Sequence, residues 1–215
     1  MKISGFLIGL IFFLISGCAD TKSHSTGVYM LLDTSGTYTK QLDQAKNIVN
    51  YLLGQLNAGD SFAVARIDSG SFSEKDIIIK VTFDQRPSVA NQQKIQFKKV
   101  IESFVSTARG SAHTDIKGGL LQAIEYLDET EAGNKHILIF SDLEEDLAKG
   151  HIRKLNKDMK GYNVVALNVT KLGSDQIDPE KYFQRQETWE KTVTELGGKW
   201  KKINDLKRLE RILGN

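Results

Sequence analysis

Two kinds of hydrophobic pattern alternate along the 215 residues of this chain. Continuous apolar runs are typical of strands buried on both faces of a sheet. Segments in which apolar residues recur every three or four positions are typical of amphipathic helices. Strands are predicted over residues 27–32, 62–67, 77–83, 136–140, 162–169 and 200–203. Helices are predicted over residues 42–56, 97–105, 115–127, 148–159, 182–196 and 206–212, and Pro87 is expected to break the chain.

This order of elements predicts a three-layer α/β fold, in which helices cover both faces of a mostly parallel central sheet. The second and third predicted strands follow each other without a helix and can form a hairpin, which gives one antiparallel edge strand. In open sheets of this class, ligands bind beyond the carboxyl ends of the strands. The loops at that edge are therefore where functional residues are expected.

The first residues have the pattern of an export signal. Lys2 precedes the apolar run 6–15, which is too short to cross a bilayer as a helix. The run ends in Ile15-Ser16-Gly17-Cys18, which resembles the lipobox of bacterial lipoproteins. The resemblance implies that residues 1–17 are a signal peptide and that Cys18 becomes the lipidated first residue of the mature chain. The alternatives are an ordinary signal peptide with a chance cysteine, or a buried free thiol.

Composition narrows the class of protein further. Cys18 is the only cysteine, so no internal disulfide supports the fold. With 29 Lys and Arg against 27 Asp and Glu, the formal net charge is +2, which does not favour nucleic-acid binding. Residues 18–26 are therefore expected to be a lipidated cysteine with a short polar tether, and residues 27–213 are expected to form one folded domain.

Polar residues gather where predicted strands end. Asp33 and Asp142 each follow a buried strand. The loop after the first strand contains Thr34, Ser35 and Thr37, and the loop before the 115–127 helix contains Thr114. The alternative is that these residues only form turns and cap helices, as Asp, Ser and Thr often do.

The order of these residues resembles the metal-ion-dependent adhesion site of von Willebrand factor type A (VWA) domains. That motif reads Asp-x-Ser-x-Ser, then a distant Thr, then a distant Asp, and it falls on Asp33, Ser35, Thr37, Thr114 and Asp142. The resemblance covers about residues 27–213. Two departures are Thr37, where the family usually has Ser, and Leu143, where many members have Gly.

The resemblance implies a VWA-like fold and one Mg²⁺ or Mn²⁺ ion, which oxygen ligands favour. Ser35 and Thr37 would bind the metal directly, and Asp33, Thr114 and Asp142 directly or through water. An open position would take an Asp or Glu from a partner protein.

The leading hypothesis is therefore a non-enzymatic, lipid-anchored envelope protein that docks an acidic partner through its metal. A structural lipoprotein with a vestigial metal site is the first alternative. A metal-dependent hydrolase using Asp33 is the second, although the sequence lacks the Asp-x-Asp phosphatase pattern and the Gly-x-x-x-x-Gly-Lys phosphate loop.

The position of Cys18 predicts a periplasm-facing domain held near the membrane, with its binding face turned away. Ala19 after the cysteine favours the outer membrane by the sorting rule of enteric bacteria. Among weaker candidates, His113 is expected in a solvent-facing loop, and Glu144, Glu145 and Asp146 at a solvated helix start.

Overall fold

The computed structural model describes residues 24–36, 38–68, 70, 73–150, 152–205, 207 and 209–213. Its strands are β1 Thr26–Asp33, β2 Ser61–Ile67, β3 Ile77–Thr82, β4 Asn134–Phe140, β5 Tyr162–Leu167 and β6 Lys199–Ile203. Its α-helices are α1 Leu42–Gln55, α2 Pro87–Thr107, α3 Ile116–Glu129 and α4 Pro179–Glu195. Cys18 and Thr37 lie outside the described residues.

The strands form one six-stranded sheet in the order β3-β2-β1-β4-β5-β6. Only β3 runs antiparallel, against β2 at the edge. In the parallel part, Val28 of β1 lies in register with Phe62 of β2 and His136 of β4. The predicted α/β fold with one antiparallel edge strand is thus confirmed. The strand order reverses beside β1, which places a crevice between the carboxyl ends of β1 and β4.

Helices cover both faces of the sheet, which explains why β1 is a continuous apolar run. Val28, Met30 and Leu32 point into the core that contains α1 and α2. Tyr29 and Leu31 point into the core that contains α3 and α4. Each of these five side chains is fully buried. A strand buried on both faces has no solvent side, so period-2 alternation is lost from its sequence.

Helix α3 approaches β1 closely because of a glycine. A Cβ on Gly119 would lie 2.8 Å from Cδ2 of Leu31, closer than real carbon atoms pack. Gly118 lies similarly close to the Asp115 carboxylate that caps the helix. The two glycines, which lower helix propensity, are therefore explained by tight packing.

The prediction of a helix over residues 148–159 is wrong. The described residues of this segment form turns and irregular backbone, and Gly150 and Gly161 have φ angles of 82° and 88°. Ile152 is 84% exposed, whereas Leu155 and Met159 pack on the α3 and α4 core. The helical spacing of these apolar residues was coincidental, because an irregular segment buries them instead.

Other predicted boundaries also change. Pro87 begins α2 instead of breaking the chain, since a proline at the first helical position loses no hydrogen bond. Strand β5 ends at Leu167, because Asn168 has a left-handed φ of 54°. The last predicted helix is reduced to a 3₁₀ turn at Leu209–Arg211 within the described residues. No helix in the described ranges is long and apolar enough to cross a bilayer.

His136 is a polar exception on the α1 and α2 face of the sheet. It is 5% exposed, and its Nδ1 atom is buried without a hydrogen-bond partner. An unsatisfied buried polar atom costs about 1–3 kcal/mol. Burial, with a smaller contribution from Lys201, lowers the pKa of His136 to about 4.

We expect His136 to destabilise the fold in acid. The unfolded chain binds a proton near the ordinary pKa of 6.5 and the folded chain only near 4, so stability falls as the pH drops through this interval. From pH 7 to pH 4 the loss is about 3 kcal/mol. The measurement is the difference in unfolding free energy between wild type and His136→Gln as a function of pH. Carboxylates that titrate in the same pH range contribute equally to both proteins, so their contribution is absent from the difference. A difference that does not change with pH would contradict the expectation.

Candidate functional site

Three loops meet at the carboxyl end of the sheet. The loop after β1 and the loop before α3 are joined by a short parallel bridge between Ser35 and Ser111. The Ser111 amide donates to the Thr34 carbonyl at 2.7 Å. A Cβ on Gly110 would lie 3.2 Å from Cα of Gly36, so the two backbones come together at a pair of glycines.

The loop before α3 is also joined to the loop after β4. Thr114 and Asp146 exchange two backbone hydrogen bonds, at 2.8 and 3.0 Å. Thr114 is 4% exposed. Next to it, Asp115 caps α3 by accepting from the Gly118 amide at 2.8 Å and pairs with Arg153 at 2.8 Å. The expected capping role in this segment thus belongs to Asp115.

Asp33 connects the loop after β1 to the loop after β4. Its side chain is fully buried, and one carboxylate oxygen accepts from the Ser35 amide at 2.8 Å. The other oxygen accepts from the Ser141 hydroxyl at 2.7 Å, which joins the end of β1 to the end of β4. Burial raises the pKa of Asp33, although both hydrogen bonds act in the opposite direction.

Asp142 lies beside this arrangement, directly after Ser141. It is 3% exposed, and its Oδ1 accepts from the Glu144 amide at 2.9 Å. Burial, with a smaller contribution from the Asp33 carboxylate, raises the pKa of Asp142 to about 6. The two carboxylates are thus close enough to repel each other, and both lie out of solvent.

Of the five predicted ligands, Asp33, Ser35, Thr114 and Asp142 lie on these three contacting loops, and Thr37 lies outside the described residues. Among the side chains that the structure describes, no group of three or more His, Cys, Asp and Glu is arranged to hold a metal ion. The predicted set contains only two such residues, because its other members are hydroxyls. The site therefore offers a mixed carboxylate and hydroxyl surface.

Helix α4 supports the Asp142 loop in a way that the sequence did not reveal. Arg185 Nε donates to the Asp142 carbonyl at 3.2 Å, and Trp189 Nε1 donates to the Leu143 carbonyl at 3.0 Å. The Arg185 guanidinium is fixed by Asp175 through two bonds of 2.9 and 2.8 Å. Bonds from a distant side chain to a backbone carbonyl leave no signal in sequence spacing.

The acidic run after Leu143 does not start a helix, contrary to expectation. Glu145 accepts from the Lys117 amide at 3.1 Å and from its ammonium at 2.5 Å. Asp146 pairs through its backbone with Thr114 and through its side chain with His113 at 3.2 Å. The run therefore builds the rim of the site, and the His113 side chain is about one-third exposed there.

Leu143 has a left-handed backbone, with φ of 67°, and is 1% exposed. A bulky residue rarely adopts this conformation. Many members of the VWA family have Gly at this position. The backbone thus keeps a conformation suited to glycine, while the leucine side chain contributes to the α3 and α4 core.

Comparison with protein-family models and with curated proteins finds no match. Among solved structures, the pilus adhesin SpaC of Lactobacillus rhamnosus GG in its open conformation is similar, with a TM-score of 0.54 and 14% identity over 90% of this chain and 29% of SpaC. A von Willebrand factor type A protein from Catenulispora acidiphila has a TM-score of 0.48 and 15% identity over 88% of this chain and 41% of its own. The chain has a VWA-like fold. It spans less than half the length of either structure.

Manganese-loaded TRAP of Plasmodium vivax is a further similar structure, with a TM-score of 0.42 and 12% identity over 66% of this chain and 57% of TRAP. A likeness at this identity leaves the function open. The interpretation of the site therefore depends on its own residues.

Leu143 provides a test of the backbone conformation beside Asp142. Leu143→Ala and Leu143→Gly both lose a buried side chain, at about 2–5 kcal/mol. Only the alanine variant keeps the left-handed penalty of about 1–2 kcal/mol. We expect the glycine variant to be the more stable of the two by about 1 kcal/mol, measured by urea unfolding.

The control is the same pair of variants at Leu127, which is fully buried within α3. There glycine should be less stable than alanine by about 0.5–1 kcal/mol, as in any helix interior. The same order at both positions would contradict the assigned conformation of Leu143.

Proposed function

We propose that this chain is a lipid-anchored envelope protein whose VWA domain binds one divalent cation, Mg²⁺ or Mn²⁺, and docks an acidic partner on it without catalysis. Asp33, Ser35, Thr37, Thr114 and Asp142 would hold the metal. The observation that carries the proposal is the pair of buried carboxylates, Asp33 and Asp142, at the switch point of the sheet.

Electrostatics favour a cation at this position. Each buried carboxylate has lost its hydration, and each repels the other. Uncompensated buried charges are costly, whereas a dication balances two carboxylates. The hydrogen bonds from Ser141 and from the Ser35 and Glu144 amides stabilise the carboxylates without adding a positive charge.

The ligand set also fits the proposed docking reaction. Hydroxyl ligands add coordination without charge, so the ion stays electrophilic and can accept a carboxylate from outside. The chemistry at the site would be binding, since oxygen ligands would hold the ion. His113 on the rim pairs with Asp146. These features support a binding module over a hydrolase.

The course of β1 supports the proposed orientation. The tether that follows Cys18 would enter at Thr26, and Asp33 ends the same strand. Seven residue steps in a strand span about 23 Å. A lipid on Cys18 would therefore hold the amino edge of the sheet toward the membrane and turn the carboxyl edge, with the metal, away from it. An outer-membrane, periplasm-facing position is part of this proposal.

Titration of the full chain with Mn²⁺, followed by the electron paramagnetic resonance signal of free Mn²⁺, tests the metal site. We expect one bound ion in wild type and an affinity at least about tenfold weaker in Asp33→Asn, because one of two balancing charges is lost. At a concentration of 100 times Kd the ion should stabilise wild type by about 2.7 kcal/mol. The matched control is Asp43→Asn, an exposed aspartate on α1. Equal titrations of wild type and Asp33→Asn would reject the site.

Capture of partners from envelope extracts tests the docking step. We expect a protein that is retained by the full chain in Mg²⁺, released by EDTA, restored by added Mg²⁺ and not retained by Asp33→Asn. Retention by Asp43→Asn should match wild type. A partner retained equally in EDTA would instead support the structural lipoprotein with a vestigial site.

A further inference from the structure

A second polar site lies at the amino edge of the sheet, far along the strands from the carboxylates. A cavity of about 270 Å³ opens there beside β4, β5 and β6. Its polar lining residues are His136, Asn163, Lys199 and Lys201, and Ile212 closes one side. This volume lies just below the range of about 300–1,000 Å³ that suits drug-sized ligands, so the cavity fits a small group.

The strand register explains why these side chains meet. His136 of β4 lies opposite Asn163 of β5, and Asn163 lies opposite Lys199 of β6. Residues in register on parallel strands point to the same face, and Lys201, two positions further along β6, joins them. The four side chains therefore form a polar row on a face that is apolar elsewhere along β1 and β4.

The row provides hydrogen-bonding groups that the protein itself does not fully use. The Nδ1 atom of His136 is buried without a hydrogen-bond partner among the described residues, on a side chain that is 95% buried. The Asn163 amide makes only a long bond of 3.4 Å to the Lys135 carbonyl. Unsatisfied buried polar groups are uncommon in folded proteins and call for an explanation.

The charge of the cavity is one-sided. Two lysines line it, and none of the described residues that line it is Asp or Glu. The Lys201 ammonium donates to the Arg211 carbonyl at 2.7 Å, which holds it at the cavity. Two ammonium groups balance a dianion, and an amide and an imidazole add neutral hydrogen bonds. A phosphate group has several acceptor oxygens in a compact shape and can also carry a proton for an imidazole acceptor, so it suits either tautomer of His136.

We propose that the cavity formed by His136, Asn163, Lys199 and Lys201 binds a phosphate group, either as a free ion or as the head group of a phospholipid. The site is separate from the metal site, and its test does not depend on metal binding.

The experiment titrates the ¹⁵N-labelled full chain with inorganic phosphate and follows the imidazole nitrogen signals of His136. A second arm measures sedimentation with phosphatidylglycerol vesicles and with phosphatidylcholine vesicles. The test variant is Lys199→Gln with Lys201→Gln. The matched control is Lys202→Gln, which removes a charge from the same strand on the other face, where Lys202 bonds to Gln186. Single variants at Lys199 and Lys201 replace the double variant if its unfolding midpoint falls.

We expect phosphate to shift the His136 signals, with affinity at least about tenfold weaker in the double variant and nearly unchanged in Lys202→Gln. A preference for phosphatidylglycerol that disappears in the double variant, without a response to the free ion, would assign the phosphate to a lipid. Equal weakening in the control would overturn the proposal. So would the absence of a His136 response to phosphate together with equal sedimentation on phosphatidylglycerol and phosphatidylcholine vesicles.

Discussion

Burial of β1 on both faces is the constraint on which the rest of the structure depends. Its neighbours β2 and β4 run parallel to it, so the chain must cross over a face of the sheet before each of these strands can begin. Helices then cover both faces, and α3 packs closely against the sheet because Gly119 has no side chain. The same constraint places Asp33, at the end of an apolar strand, where water does not reach it.

A buried carboxylate at that position determines the surrounding loops. The Ser141 hydroxyl and the Ser35 amide satisfy Asp33 and thereby join the ends of β1 and β4. Paired backbones at Ser35 with Ser111 and Thr114 with Asp146 complete a closed set of contacts. Helix α4 fixes the Asp142 and Leu143 carbonyls from behind. These contacts would hold the metal-binding side chains in position before a metal binds, which would lower the entropic cost of ordering them.

The sequence predicted the sheet well because strands that are buried on both faces, such as β1, need continuous apolar runs. It failed at residues 148–159, where Leu155 and Met159 have helical spacing but Gly150 and Gly161 allow turns. The proximity of Asp33, Ser35 and Asp142 was predictable because these residues end or follow β1 and β4. Arg185, Trp189 and Ser141 were not, since their roles depend on bonds across 43, 46 and 108 residues.

The parallel sheet also separates two kinds of chemistry. At its carboxyl edge, Asp33 and Asp142 are acidic, buried and held by hydrogen bonds that carry no charge. At its amino edge, Lys199 and Lys201 lie beside a buried imidazole, and the part of the cavity lining that the structure describes contains no acidic side chain. Because every parallel strand delivers its first residues to one edge and its last residues to the other, the two sets of polar side chains lie at opposite edges of the sheet. A cation at one edge and an anion at the other are therefore compatible with a single fold, and a chain tethered before β1 would present them to opposite surroundings.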